Sequence, residues 1–263
     1  MKTYSIIFFV FILITSNVLF GYNFPDTTIM VDLNGDNKTD NISINFELKN
    51  GYYSELYTLY VNDLIYIDTV YNASEFHAEI VDLDKSDEFK EIALFSWAES
   101  ALYCQIIRYD GKSLIDLGEM STTNEYGFSG NGSVVASHWI GFWSADVNYF
   151  IDEDLHKLKA VYKEEYTLDD DWFKSIEIIT LEKITLLKSK DINSNLSIEI
   201  APGTRIYILK ADIRNSTVID ENIDTEYYAD DYNWYYIKTD SGGSGWIMLK
   251  DFKYKVDGIP WAG

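Results

Sequence analysis

The sequence is poor in cysteine, proline, methionine and positive charge. It has 1 Cys, 3 Pro and 4 Met in 263 residues, and 21 Lys and Arg stand against 43 Asp and Glu, for a net charge of −22. A single cysteine allows no intrachain disulfide, so stability must come from a packed core. A strong negative field repels phosphate backbones and anionic membrane surfaces, which excludes nucleic-acid binding as a main activity.

The sequence also lacks the motifs of common enzyme classes. Its 3 histidines, His77, His138 and His156, lie too far apart to chelate zinc from one helix or strand. No Gly-x-Ser-x-Gly elbow, phosphate-binding loop or dinucleotide fingerprint occurs. We therefore expect no enzymatic activity. One alternative stays open, a hydrolase of envelope or host glycans, because two carboxylates from separate strands suffice for that chemistry.

The N-terminus has the pattern of an export signal. Lys2 precedes an apolar run at residues 6–14, and more polar residues and Gly21 follow. This pattern predicts a signal peptide over residues 1–21, since a membrane span needs about 20 apolar residues. An uncleaved anchor is the alternative, because Leu19 and Gly21 form a poor cleavage site. We expect an extracellular, cell-surface or periplasmic protein without stable membrane insertion after signal cleavage.

The aromatic content and the turn pattern predict a mainly β fold. The chain has 21 Tyr, 14 Phe and 7 Trp, and no proline occurs between Pro25 and Pro202. Proline would remove a hydrogen-bond donor from paired strands, so its absence favours sheets. Short apolar runs alternate with turn residues, as in a meander of hairpins. These runs are residues 28–31, 41–48, 57–61, 64–70, 76–81, 91–97 and 102–109.

A change in composition divides the chain. Residues 164–179 are rich in acids and interrupt the apolar rhythm, which indicates a linker. We expect a β-rich domain over 22–163, a second domain over 180–254 and a tail over 255–263. Five short apolar runs within the second domain predict a small barrel.

Two acidic loops are the sharpest local signals. Residues 32–40, the first loop, read Asp-x-Asn-x-Asp-x-x-x-Asp, and oxygen atoms at this spacing suit a calcium ion. The candidate ligands are Asp32, Asn34, Asp36 and Asp40. Residues 82–91, the second loop, start in the same way but have one extra residue and no glycine; the candidates there are Asp82, Asp84, Asp87 and Glu91. In the alternative interpretation, these side chains only cap the backbone of a turn.

These loops, together with the Tyr109-Asp110-Gly111 hairpin, resemble the FG-GAP and VCBS repeat families over residues 23 to about 160. In those families, calcium loops lie between the strands of propeller blades. The resemblance implies a propeller-like N-terminal domain that holds structural calcium.

The C-terminal part is similar to the bacterial SH3-like (SH3b) family. The similarity rests on a proline-glycine turn that opens a strand at residues 201–210, a tryptophan-tyrosine strand at 233–239 and a glycine-tryptophan pair within 242–247. It implies a small SH3-like barrel that binds a cell-wall peptide or an envelope protein. The candidate contact residues are aromatic: Tyr227, Tyr228, Trp234, Tyr236 and Trp246. Strand alternation places Tyr235 and Ile237 on one face and Trp234 and Tyr236 on the other, so one set belongs to the core.

A second aromatic cluster lies at residues 138–143. Alternating Trp and Phe at strand spacing usually fill a core, although a sugar-binding platform is the alternative. A cleft that pairs two carboxylates beside Trp139 and Trp143 would favour the hydrolase. A broad apolar surface patch would instead favour a third class, a structural subunit of an envelope assembly.

Overall fold

The computed structural model describes residues 28–49, 52–70, 75–98, 101–123, 126–168, 171–194, 196–214 and 229–260. The predicted signal peptide and the candidates Tyr227 and Tyr228 lie outside these residues. Within them, no helix is long and apolar enough to cross a membrane.

The described chain is mainly antiparallel β-sheet, which confirms the mainly β class predicted from the sequence. Its N-terminal part forms three four-stranded sheets, each built from consecutive strands. The first sheet contains β1 (Ile29–Val31), β2 (Asp40–Lys49), β3 (Tyr52–Val61) and β4 (Leu64–Thr69). The second contains β5 (Glu75–Val81), β6 (Glu91–Ala98), β7 (Ala101–Tyr109) and β8 (Leu114–Thr122). The third contains β9 (Gly127–Phe128), β10 (Ser133–Trp139), β11 (Ser144–Asp152) and β12 (Lys157–Val161).

The remaining strands form one C-terminal sheet in the order β16-β15-β19-β18-β17-β14-β20, and β13 pairs with β17. These strands are β13 (Tyr166–Thr167), β14 (Ile178–Thr180), β15 (Ile184–Leu187), β16 (Ser197–Ile200), β17 (Arg205–Asp212), β18 (Trp234–Thr239), β19 (Ser244–Met248) and β20 (Val256–Asp257). The helices are short: α1 (Asp171–Ser175), a 3-10 turn (Ala229–Tyr232) and α2 (Leu249–Phe252). Neither a closed barrel nor a closed propeller is found among the described strands.

The second sheet is buried on both faces. On β6, Ile92 and Leu94 pack into a core shared with the first sheet. Ala93 and Phe95 point the other way, into a core shared with the third sheet, because successive side chains of a strand alternate between its faces. Cys104 belongs to this second core, where burial raises the pKa of its thiol. It therefore serves as a small apolar side chain.

Among the described strands, the first sheet lies at one end of the stack and shares a core only with the second sheet. Its strand β2 turns Ile42 and Ile44 to the core and Asn41 and Asn45 to solvent. The same outer face also carries exposed apolar side chains, Met30 on β1 and Ile65 and Ile67 on β4, which are 67%, 60% and 58% exposed.

A third core joins the N-terminal sheets to the C-terminal sheet. Tyr235 and Ile237 point into it, as strand alternation allows, together with Phe142 and Trp143 from the β10–β11 connection. The Phe142 ring packs 5.3 Å from the Tyr235 ring, centroid to centroid. The cluster at 138–143 therefore contributes mostly to the core, and only Trp139 is exposed. Residues 164–179, predicted as a linker, contain β13 and α1 and begin β14.

A buried ion pair links the second loop to the second sheet. Arg108 on β7 donates from Nε and Nη2 to Glu91 Oε1, at 2.9 and 2.7 Å. The side chains of Arg108 and Glu91 are 6% and 0% exposed, and the guanidinium lies 4.9 Å from the centroid of the Phe89 ring. Arg108 also lies 3.6 Å from Glu153, in the turn after β11 of the third sheet. The Arg108 guanidinium thus connects the second sheet, through Glu91, to the turn beside the third sheet, through Glu153.

Arg108→Met should destabilise the protein by about 3 kcal/mol or more, because it leaves the Glu91 carboxylate buried without its cation. Urea unfolding followed by tryptophan fluorescence measures this change. Lys183→Met is the matched control, since Lys183 and Glu199 form an exposed pair whose loss should have little effect. Equal stabilities of the two variants would show that the buried pair is not a main constraint.

Candidate functional site

The two acidic loops have the same local structure. In each, the residue after the first aspartate is a buried leucine whose N–H donates to the last acid: Leu33 to Asp40 Oδ2 at 2.9 Å, and Leu83 to Glu91 Oε2 at 3.1 Å. In each, the first aspartate also keeps one buried oxygen without a hydrogen-bond partner: Oδ1 of Asp32 and Oδ1 of Asp82. The similarity of the two loops in sequence is therefore a similarity of structure.

The other oxygens of the first loop mostly cap its own backbone. Asn37 N–H donates to Asp32 Oδ2 at 2.9 Å, and Asp36 N–H donates to Asn34 Oδ1 at 3.2 Å. Lys38 donates to Asp36 through both its N–H and its ammonium group, at 2.8 and 3.1 Å. Asp32 Oδ1 is the oxygen in this loop that the turn leaves without a partner.

The loops also pack against each other. Gly35 has a φ of 71°, and a Cβ there would lie 2.6 Å from Cβ of Glu88 in the second loop. Only glycine suits both the positive φ and this close approach. Lys90 N–H also donates to the carbonyl of Leu33 at 2.8 Å. The conformation of the first loop therefore depends on the position of the second.

The second loop uses its acids differently. Both oxygens of Glu91 are hydrogen-bonded, one to Arg108 and one to Leu83. Asp84 accepts from the backbone and hydroxyl of Ser86, and Asp87 accepts from Phe89 N–H. Across the described residues, no three or more His, Cys, Asp or Glu side chains are placed to hold one metal ion.

The aromatic candidates of the C-terminal sheet share one face. Trp234 and Tyr236 on β18 and Trp246 on β19 lie opposite the core face, and the Tyr236 and Trp246 rings meet edge to face at 5.2 Å. Trp234 and Trp246 are only 7% and 8% exposed and pack with Met248 in a small cluster of their own. Of these three aromatic residues, Tyr236 is the one whose ring is only partly covered, and its hydroxyl donates to Ser244.

Basic side chains surround this face. Lys190 Nζ lies 4.8 Å from the centroid of the Trp246 ring and donates to Asp212 Oδ2 at 2.7 Å. Arg214 donates to both oxygens of Asp212, at 2.9 and 2.6 Å. Burial opposes ionisation of Asp212, but the hydrogen bonds from Arg214 and Lys190 outweigh it and lower the pKa of this carboxyl to about 2.

A cleft of 570 Å³ lies beside Tyr236, and we call it the C-terminal cleft. Its walls combine an aromatic ring, exposed aliphatic side chains, hydroxyl groups and a lysine. The lining residues are Lys188, Leu196, Ser197, Ile198, Tyr236, Ser244 and Gly245. Leu196 and Ile198 are 58% and 45% exposed and lie together at this cleft, so they form an apolar surface that a ligand could cover. A cleft with this mixture of apolar walls and few polar groups suits a peptide segment.

A second cleft, of 370 Å³, brings two carboxylates together beside a tryptophan. Its lining includes Trp143, Asp146, Glu165 and Tyr166. A hydrogen bond from Lys210 at 2.8 Å lowers the pKa of the Glu165 carboxyl. Trp139, the other aromatic expected beside such a carboxylate pair, is not among the lining residues of this cleft.

Sequence reasoning missed a third cavity, of 240 Å³, between the first and second sheets. It is lined in part by Tyr57, Gln105 and Glu119, which lie on three different strands. One signal was present: Gln105 is an amide between the buried apolar residues Cys104 and Ile106 of β7, and it is itself partly buried. A partly buried amide needs hydrogen-bond partners, which indicates a polar site between the sheets.

No protein-family model, no curated protein and no solved structure matches this chain. The resemblances to the SH3b and FG-GAP or VCBS families therefore stay predictions, and the function must be argued from the geometry.

Asp212→Asn should destabilise the protein near neutral pH, and the difference from the unmodified protein should shrink as the pH falls from about 4 towards 2. The pKa of Asp212 is lower in the folded protein than in the unfolded chain, so its carboxylate stabilises the fold at pH values above the unfolded pKa. This stabilisation is lost as the pH falls through the folded pKa. Urea midpoints measured across this range test the expectation. Asp251→Asn, at an exposed position on α2, is the control. A pH-independent difference would show that Asp212 acts through shape and not charge.

Proposed function

We propose that this chain is an exported, non-catalytic binding protein of the bacterial envelope. In this proposal its C-terminal domain, an SH3-like barrel, recognises a cell-wall peptide or a segment of an envelope protein. The C-terminal cleft carries the proposal, because it places exposed Leu196 and Ile198 and partly covered Tyr236 around one space. Lys188 adds a positive charge at this cleft in a chain of strong net negative charge.

In the same proposal, the two buried tryptophans support the cleft and do not contact the ligand. Trp246 holds Tyr236 edge to face, and the Lys190 ammonium covers the Trp246 ring. Gly245 lets β15 approach closely, since a Cβ there would lie 2.6 Å from the carbonyl oxygen of Leu187. Because packing fixes the walls of the cleft before a ligand binds, fewer side chains must be ordered on binding, which favours affinity.

The N-terminal domain is proposed to be a propeller-like unit that holds calcium in its first loop. Three consecutive four-stranded meanders that share cores support the propeller-like arrangement. The unpartnered, buried Oδ1 of Asp32 supports the cation, because a buried carboxylate oxygen without a partner is costly. Asp36 would have to give up its contact with the Lys38 ammonium to join Asp32 as a ligand. The calcium would order the loop and take no part in chemistry.

Residues 22–263 should co-sediment with purified peptidoglycan sacculi, and Tyr236→Ala should weaken this binding about tenfold by removing the aromatic ring from the lining of the cleft. Tyr254→Ala is the matched control, because Tyr254 is an 81% exposed tyrosine that does not line the C-terminal cleft. Tyr236 is a sharper probe than Trp234 or Trp246, whose truncation would also open a buried cluster.

Three results would count against this site. Sedimentation of both tyrosine variants like the unmodified protein would remove the C-terminal cleft as the binding site. Loss of binding in both variants would indicate a general surface effect. No sedimentation of the unmodified protein would overturn the wall-peptide form of the proposal and leave an envelope protein as the partner.

A second candidate, a glycan hydrolase, is favoured by one observation, the pairing of Asp146 and Glu165 beside Trp143. Glu165 is held ionised by Lys210, so it would serve as nucleophile or base, with Asp146 as the second carboxyl group of the pair. The sacculi incubation tests this candidate too. Release of soluble sugar fragments that disappears in Glu165→Gln would establish it, and intact sacculi would exclude this wall-glycan activity.

Calcium should raise the Tm of residues 22–263 by about 5 °C or more over EDTA at saturating concentration, because an ion that binds only the folded state stabilises it. Asp32→Asn should abolish this rise. Asp110→Asn is the matched control, since Asp110 caps a turn through Lys112 and Ser113 and keeps no buried oxygen without a partner. Equal Tm values in calcium and EDTA would overturn the calcium site.

A further inference from the structure

The cavity between the first and second sheets, called the inter-sheet cavity, is lined by strands from both and opens to solvent where Thr69 and Glu119 are exposed. Its 240 Å³ would hold about eight waters at ~30 Å³ each, or one small organic molecule. Its lining is largely apolar and aromatic, with a few polar groups. The lining residues are Tyr57, Thr69, Val70, Phe76, Leu94, Ser96, Tyr103, Gln105 and Glu119.

One side of this cavity is built from a hydrogen-bond network anchored on Gln105. The Tyr57 hydroxyl donates to Gln105 Oε1, and Gln105 Nε2 donates to the Tyr66 hydroxyl at 2.9 Å and to Asp68 Oδ2 at 2.8 Å. Tyr66 in turn donates to Asp68 Oδ2 at 2.8 Å. Burial raises the pKa of both tyrosines well above 10, so their hydroxyl groups stay neutral.

This network has no donor to spare. Tyr57 and Tyr66 each have one O–H and use it within the network, and Gln105 uses both N–H groups. What these groups still offer to a ligand is lone pairs. The network therefore favours a ligand that brings its own hydrogen-bond donors.

The charge at the cavity has one sign. Glu119 lines it and stands opposite Gln105 in the β7–β8 register, so its carboxylate lies on the same side as the network. Asp68 lies directly behind Gln105. The lining residues include no lysine or arginine. Burial raises the pKa of the Glu119 carboxyl, and the negative charges of Asp68 and Asp116 raise it further. A bound cation would lower this pKa again.

We infer that the inter-sheet cavity binds a small organic cation, whose ammonium group lies beside the Glu119 carboxylate. The apolar part of the ligand packs against the apolar lining, which includes Phe76 and Leu94, and the ring of the partly exposed Tyr103 attracts its positive charge. An anion is disfavoured by Glu119 and Asp68. A neutral donor gains a hydrogen bond from the carboxylate but lacks the attraction between opposite charges that a cation adds. This site does not depend on the C-terminal cleft or on the calcium loop.

Two pairs of matched probes test the charge: choline with its neutral isostere 3,3-dimethylbutan-1-ol, and benzylammonium with benzyl alcohol. Residues 22–263 are titrated with each and followed by the NMR signals of the Gln105 side-chain amide and the Tyr57 ring. At least one cation should shift these signals and bind about tenfold more tightly than its neutral partner.

Glu119→Gln keeps the shape of the carboxyl and removes its charge. It should weaken the cation about tenfold and leave the neutral partner unchanged. Glu182→Gln, at an exposed carboxyl in the connection between β14 and β15, makes the same change in net charge and should have no effect. The inference is overturned if neither cation shifts the Gln105 signals, if the neutral partner binds as tightly, or if both glutamine variants weaken the cation equally.

Discussion

One buried ion pair connects the second loop to the sheets in the N-terminal half of this protein. Arg108 and Glu91 lie where the second loop, the second sheet and the turn after β11 meet, and both side chains are almost fully buried. The pair fixes Glu91, and Glu91 in turn holds Leu83 N–H, which sets the start of the second loop. Because Gly35 of the first loop packs on Glu88, this constraint extends to the first loop as well. A chain without disulfides thus orders its loops with charge that is shielded from water.

Charge also separates the functional candidates. The chain is strongly acidic, yet basic side chains gather on the solvent face of the C-terminal sheet, where Lys188, Lys190 and Lys210 lie near Tyr236. The inter-sheet cavity has the opposite character, with Glu119 at its wall and Asp68 behind it. Two sites of opposite electrostatic preference in one chain would select different ligands, so one can be tested without disturbing the other.

Several features followed from local sequence. Proline-free apolar runs separated by turns are enough to predict antiparallel meanders, since each strand pairs with the next one along the chain. Because successive side chains of a strand alternate between its faces, Tyr235 and Tyr236 on β18 had to lie on opposite faces of the sheet.

Other features did not follow from local sequence. The burial of Trp234 and Trp246 depends on neighbours such as Met248 and Lys190, which pairing and packing bring together from distant positions. The inter-sheet cavity needs Tyr57 and Gln105 from two sheets, a contact that no local pattern encodes.

The sequence by itself determined the β class, the acidic character, the two similar loops and the reliance on a core without covalent links. These properties reside in composition and in patterns of a few residues, where backbone preference and alternation act directly. The tertiary structure decided how each polar group is used. It assigned Glu91 to Arg108, left Oδ1 of Asp32 without a partner and placed Glu119 at a cavity wall. The physical reason is that burial and hydrogen-bond partners are set by strand pairing and sheet stacking, which join residues far apart in the chain.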